Sequence, residues 1–245
     1  MSKEYTYTDD WFSHNIPMWD KLFNQHINVN KHVINDVLEI GCYEGKASVY
    51  MAEKWLQEGT NYDVVDTFGG SAVESGMQRH VDKLKENEDF IYHNFVNNIS
   101  NHQEVKWNIH RGISQVALPI LFGEGKMYDF IYIDASHQSD DTFVDAYFAH
   151  KMLKGGGVLI FDDFGWRDIE NDHINHSPAF GISAFVELYS DYYNLLFQGY
   201  QIGLYRKTQK EYEDGMLEKK WVGDNKIPSL KKINEEPVTI KGTFG

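Results

Sequence analysis

Cysteine is almost absent: Cys42 is the only one in 245 residues, so no internal disulfide can form. Basic charge is scarce too. Lysine and arginine number 23 against 37 acidic residues, a net charge of −14, and a chain this acidic is repelled by phosphate backbones and anionic membrane surfaces. Nucleic acid and membranes are therefore not expected as partners. No apolar run approaches the roughly 20 residues that a membrane span needs. The opening MSKEYTYTDDWF lacks the apolar centre of a signal peptide. The expectation is a cytoplasmic protein in which the sequon Asn98-Ile99-Ser100 has no role. Repeats and low-complexity tracts are missing as well. What is present is ordinary: 42% hydrophobic residues, enough for a sizeable core in one large domain with small attachments.

Residues 11–29, WFSHNIPMWDKLFNQHINV, space Trp19, Leu22, Phe23 and Ile27 like a helix and predict a cap over residues 1–30. From Asn35 onward, short apolar runs alternate with helical stretches. DVLEIG (36–41), YDVVDTF (62–68), VKWNIHRG (105–112), YDFIYID (128–134) and VLIFDDF (158–164) predict five strands. Helices are predicted over 46–57, 114–123 and DDTFVDAYFAHKML, where Val144, Phe148 and Met152 recur every four residues. The following KGGG reads as a glycine stop for that helix. Residues 179–195 predict another helix, and LLFQGYQIGLYRK, broken near Gly199, an antiparallel hairpin. Such alternation gives an α/β fold over 31–206: a doubly wound, mostly parallel sheet with helices on both faces. The charged stretch 207–245 reads as an extension, a flap or a homo-oligomer contact.

Ligands of open α/β sheets bind beyond the carboxyl ends of the strands. Here the first strand runs into EIGCYEG, the second ends at Asp66, the fourth at Asp134 and the fifth at Asp162-Asp163. A lone aspartate of this kind is most simply a turn or helix-cap residue; four strands delivering such groups to one rim weaken that explanation. Gly41 and Gly45 frame a G-x-x-x-G turn that lets a ligand approach the backbone. It is neither the G-x-G-x-x-G of dinucleotide binders nor a phosphate-cradling G-x-x-x-x-G-K-[ST], which disfavours a nicotinamide oxidoreductase. Asp66, 25 residues after Gly41, is placed to accept hydrogen bonds from a ribose diol.

VLEIGCYEGKAS (37–48) resembles motif I of class I S-adenosylmethionine-dependent methyltransferases, and VVDTF their second motif. YDFIYIDASHQSDDTFVDAYFAHKMLKGGGVLIFDDF is similar to the D-x-x-H…K-x-G-G-x-x-x-x-D-D region of the macrocin-type sugar O-methyltransferases, more distantly related to catechol-type enzymes. The resemblance spans about residues 35–205. It implies a Rossmann-like sheet of seven strands with the last one reversed. It implies a cofactor, S-adenosylmethionine, with its methionine end at Glu39, Gly41, Cys42, Tyr43 and Gly45, its ribose at Asp66, Thr67 and Phe68, its base at Gly112 and Ser114, and Asp134 nearby. It further implies a divalent cation, Mg2+ or similar, on Asp134, Asp162 and Asp163, which suits clustered carboxylates that repel one another. His137 matches the proposed base, and an imidazole titrates near neutrality.

Simpler alternatives stand beside these. Asp134 could serve the cofactor amine while Asp162 or Asp163 binds backbone, and His137 could be a loop histidine bonded to a carboxylate. His173 and His176 suit a substrate-facing loop better than a zinc pair, having no cysteine set with them. Trp11, Trp19 and Trp166 are candidates for an acceptor wall or for core. The reading is a metal-assisted O-methyltransferase acting on a hydroxyl of a small molecule or sugar. The rivals are a metal-independent N- or O-methyltransferase and a non-catalytic cofactor-binding partner subunit.

Overall fold

The computed structural model describes residues 4–27, 33–70, 78–167 and 176–221. The chain forms two compact units, Met1–Thr208 and Gln209–Gly245. In the second, the described part is a helix, Gln209–Trp221. No helix among the described residues is long and apolar enough to cross a membrane.

The first unit is built on seven strands: β1 (Asp36–Ile40), β2 (Asn61–Asp66), β3 (Lys106–Arg111), β4 (Tyr128–Ile133), β5 (Leu153–Phe161), β6 (Tyr193–Gln198) and β7 (Ile202–Arg206). They lie in the order β3-β2-β1-β4-β5-β7-β6. The first five are parallel, and β7 runs antiparallel to both β5 and β6. The central strands read as near-continuous apolar runs because helices cover both of their faces. Their side chains alternate between two cores. Val37, Tyr62, Phe130, Tyr132 and Ile160 face α1 (Ile16–Leu22), α2 (Lys46–Lys54) and α4 (Phe90–Ile99), whereas Leu38, Ile40, Ile131, Leu159 and Phe161 face α5 (Ser114–Gly123), α6 (Ser139–Met152) and α7 (Pro178–Tyr189). The short α3 (Gln78–Glu86) precedes α4.

KGGG differs from its expected role. Helix α6 ends at Met152, and Leu153 is already extended and paired with Tyr128. The next pair is Phe130 with Val158, so residues 154–157 bulge out of the ladder inside β5. The last carbonyls of α6 are satisfied from far away: the Arg206 guanidinium donates to the carbonyls of His150 and Leu153. A distant cation thus does what a glycine cap usually does.

The N-terminal segment is a short helical turn at 13–15, then α1 and one wide turn over 23–27. Pro17 in the first turn suits the start of a helix. Trp19 is fully buried, stacked on Trp55 at 5.0 Å and edge-on to Tyr132 at 4.9 Å, and its indole N–H donates to Gln201 at 2.8 Å. It is core, not acceptor wall. Burying an indole of this size stabilises the docked segment by about 2–3 kcal/mol. Upstream, Thr6 exchanges hydrogen bonds with Asn98 (2.8 and 2.9 Å), which fixes the sequon asparagine in the interior.

Candidate active site

The chain order reverses direction between β1 and β4, the position at which open α/β sheets take a ligand beyond their carboxyl edge. Each strand exit is tied to its neighbour. Gly41 N–H donates to Val65, Asp134 N–H to Ile40, Asp162 N–H to Ile133 and Gly112 N–H to Asp66, all at 2.8 to 2.9 Å. The side chains that follow are therefore carried on a rigid edge. Gly41 has φ +81°, and a Cβ there would lie 1.9 Å from the Asp134 carbonyl oxygen. Only glycine lets the loop after β1 pass the end of β4. Three non-glycine residues with φ of 51–57° also lie at this rim: Tyr43, Phe68 and Asp163. Left-handed backbone at ordinary residues costs about 1 kcal/mol each and gathers where geometry serves function.

On the donor side, Asp66 grips the glycine loop. Its Oδ2 accepts the N–H groups of Cys42 (2.7 Å) and Tyr43 (2.9 Å), and its Oδ1 that of Phe68 (2.6 Å). The loop is pinned from outside as well. Glu44, 1% exposed, accepts from the Thr8 backbone and hydroxyl and from Asn94. The Trp11 ring covers Tyr43 at 4.7 Å. Beneath the loop, Glu39 has no exposure and is bonded by the hydroxyls of Ser48 and Tyr62. Burial pushes its carboxyl up to about 7. Burial and the Asp66 and Glu39 charges push the Cys42 thiol well up, which leaves no ready nucleophile.

On the other side, Asp162 and Asp163 part ways. Asp162, 6% exposed, turns inward, and its Oδ2 accepts from Tyr132, from Gln201 (2.9 Å) and from Asn15 (3.2 Å). Its Oδ1 accepts the Asp163 N–H at 2.8 Å. Asp163 turns outward: Oδ2 meets His137 Nε2 at 2.8 Å, and Oδ1 accepts the Tyr200 hydroxyl at 2.8 Å. The Tyr132 hydroxyl, with one proton to share, also lies 3.0 Å from Asp134 Oδ2. Burial and the charges of Asp162 and Asp163 hold the Asp134 carboxyl well above the usual range, and burial with the Asp163 charge moves Asp162 to about 6. Burial acts against Asp163 too, but the hydrogen bond and charge of His137 outweigh it and hold Asp163 low. This is a carboxylate–imidazole dyad, its two side chains 14% and 15% exposed, in which Asp163 fixes the ring through Nε2 while Nδ1 is turned inward.

The model of a family described as a methyltransferase domain matches residues 38–164, just over half of the sequence. The chain belongs to the methyltransferase-domain family. No curated protein matches it. Among solved structures it is similar to an O-methyltransferase from Bacillus cereus in complex with SAH, at 20% identity and a TM-score of 0.51 over 78% of this chain and 81% of that one. It is also similar to the O-methyltransferase TomG from Streptomyces achromogenes in complex with SAM, at 17% identity and a TM-score of 0.52 over 78% and 80%. At these identities the likeness is one of fold.

The exits of β1, β2, β4 and β5 carry Gly41, Cys42, Tyr43, Asp66, Asp134, His137 and Asp163 to this rim, whereas the bare face of Gly45 abuts the Phe95 ring. Gly112 and Ser114 stand partly exposed after β3. Glu39 and Phe68 differ from expectation. A carboxylate with no exposure touches no ligand in this arrangement, so Glu39 supports the loop from below. The Phe68 ring is fully buried against Tyr92 and Phe95, and only its N–H faces Asp66. Thr67 is exposed and accepts the Gly69 N–H. His173 lies outside the described residues; His176 meets Gln138 at 3.1 Å.

The three aspartates suit a divalent cation in charge but not in arrangement. Among the described residues no three His, Cys, Asp or Glu side chains converge as ion ligands. Asp162 Oδ2, already accepting three protein donors, has little left to offer. As arranged, the three do not make the expected ion site. The sequence also hid the supporting cast of Asn15, Glu44, Tyr132, Tyr200 and Gln201. Only Tyr132 left a signal, since two residues before Asp134 on a strand means the same face.

Proposed function

We propose that the protein transfers a methyl group from S-adenosylmethionine to a hydroxyl of a small molecule or sugar, with His137 as general base. The observation that carries this is the His137–Asp163 dyad on the same rigid strand edge as the Asp66-gripped glycine loop. The loop fits a nucleoside-bearing cofactor: Gly41 lets the backbone pass close by the end of β4, Asp66 suits a ribose diol, and Gly112 and Ser114 lie where its base is expected. When bound, that cofactor supplies an electrophilic methyl on a sulfonium. The chain's part is to hold the acceptor oxygen in line and accept its proton on the imidazole as the oxygen–carbon bond forms. Asp163 fixes the ring's orientation and stabilises the imidazolium.

A second reading adds a divalent cation at Asp134, Asp162 and Asp163. Burial holds the Asp134 carboxyl high, and the charges of Asp162 and Asp163 add to it, a repulsion that a cation would relieve. Binding would have to draw Asp162 away from Tyr132, Asn15 and Gln201. The test measures methylation and Mn2+ binding by calorimetry on chelator-treated protein. Full activity with no ion bound supports the base mechanism alone, and recovery only on adding metal supports the second reading. If calorimetry shows no S-adenosylmethionine binding, the proposal fails.

A further inference from the structure

The two helix layers that cover the sheet have different exteriors. Among the described residues of α1, α2 and α4, Met18 is the one large apolar side chain left exposed. The layer of α5, α6 and α7 leaves six: Val116, Ile120 and Phe122 on α5, Tyr147 on α6, and Phe180 and Leu188 on α7. Val116, Ile120 and Leu188 are 57%, 55% and 63% exposed. Helix α5, SQVALPILFG, has no charged residue, in a chain where charged residues make up 24%. A helix apolar all round is ordinarily covered all round, and this one buries only Leu118 and Leu121.

Helix α6 packs against both of the others and carries the row that points to the occupant. Asp140, Val144, Tyr147 and Lys151 fall within one narrow outward arc, opposite the buried Thr142, Ala146 and Ala149. The neighbouring acid, Asp141, accepts the Ser136 hydroxyl at 2.8 Å. The Lys151 ammonium lies 5.2 Å over the Tyr147 ring, which keeps it in the row. Turned end to end about the point between Val144 and Tyr147, the row brings Asp140 onto Lys151 and Val144 onto Tyr147. It is complementary to itself, as a two-fold interface requires. The helix dipole favours an acid in the first turn and a base in the last, but it does not account for the apolar residues exposed between them and on both flanking helices.

Half exposed, six side chains of this size leave on the order of 500 Å2 of apolar surface, the upper end of what a monomer shows. With a polar margin that comes within reach of the roughly 800 Å2 per partner that a stable dimer buries. A net charge of −14 makes copies repel one another except where charge is low.

We propose that the outer face of α5, α6 and α7 receives a second copy of this chain. The two α6 helices run antiparallel about a two-fold axis between Val144 and Tyr147, with Asp140 of each copy on Lys151 of the other. The inference does not depend on the methyl-transfer reading.

Sedimentation equilibrium on the full chain should give twice the 28.5 kDa of one copy at micromolar concentration. Tyr147→Glu puts like charge twice into the apolar centre and should raise the dissociation constant about 100-fold. Asp140→Lys and Lys151→Asp should each raise it about tenfold, and the two together should return it to within about threefold of the unsubstituted chain. These side chains are exposed, so each variant should melt within a few degrees of the parent, which separates loss of the dimer from loss of the fold. A single-chain mass at every concentration overturns the inference, and flotation of that monomer with phosphatidylcholine vesicles would assign the face to lipid instead. A dimer indifferent to Tyr147→Glu overturns it as well, as does one that the paired charge exchange fails to restore.

Discussion

The two edges of the sheet carry the same kind of residue to opposite effect. At the amino edge, Lys154 Nζ lies 2.6 Å from Asp36 and 3.0 Å from Asp129. Asp129 also accepts the N–H groups of Asn35 and Asp36, and Asn61 donates to Asp36. Burial opposes the charge of Asp36, yet Lys154 and Asn61 hold it low; Lys154 is raised in turn. A cavity of about 80 Å3 beside this cluster, lined by residues including Ile27, Phe130, Lys154 and Val158, lies far from the carboxyl edge. At the carboxyl edge, of Asp134, Asp162 and Asp163 one alone, Asp163, is bonded to an imidazole, and the other two are pushed up. A matched cation makes acids part of the scaffold; leaving it out makes them reactive. One edge is charge-matched and holds the fold; the other gathers the acids on which the proposed chemistry rests.

Substitutions can break that division. The largest effect is expected from His137→Ala, which should lower kcat by about 10² to 10⁴-fold. Its cofactor affinity should stay within about twofold by calorimetry. An equal loss of affinity would mean that the dyad and the glycine loop are not separable.

Next comes Glu39. Folded, it keeps its proton up to about pH 7, while the unfolded side chain releases it near 4.5. Between those values the folded state binds more protons, so this group's contribution to stability falls as pH rises, by about 3 kcal/mol at most. Denaturant unfolding at pH 5 and pH 8 should therefore show Glu39→Gln gaining on the unsubstituted chain at the higher pH. A parallel pH response in both proteins would contradict the assignment.

Asp66→Ala removes three charge-assisted hydrogen bonds from the loop. It should weaken S-adenosylmethionine about 10- to 100-fold, and kcat at saturating cofactor should suffer much less. The smallest change belongs to the amino edge. Lys154→Met should cost about 1 kcal/mol, seen as a drop of a few degrees in Tm, with kcat unchanged. The Asp36 contribution is present above the unfolded carboxylate pKa and lost as pH falls through its depressed folded value. The Lys154→Met penalty should therefore shrink in acid. A fall in kcat would join the two edges that the structure separates.

Much of this was legible in residue order. Alternating strand and helix stretches gave the sheet, and the 114–123 helix lies where it was expected after the third strand. The acids at strand ends stood out because a parallel sheet sends every carboxyl end to one rim. KGGG misled because local glycine rules know nothing of Arg206, more than fifty residues away. Trp19 and Trp11 looked alike in sequence, and only packing made one core and the other rim. Asp162 and Asp163 show the limit most clearly.

Sequence alone determined that two adjacent carboxylates leave β5 at the active rim, because strand position and polarity are local properties. It could not divide their work. That depended on the left-handed backbone at Asp163 and on partners drawn from 26 to 147 residues away: Asn15 and Gln201 for one, His137 and Tyr200 for the other. Such partners become neighbours only when the chain closes on itself, so the tertiary structure alone decided which aspartate is anchored inward and which meets the imidazole.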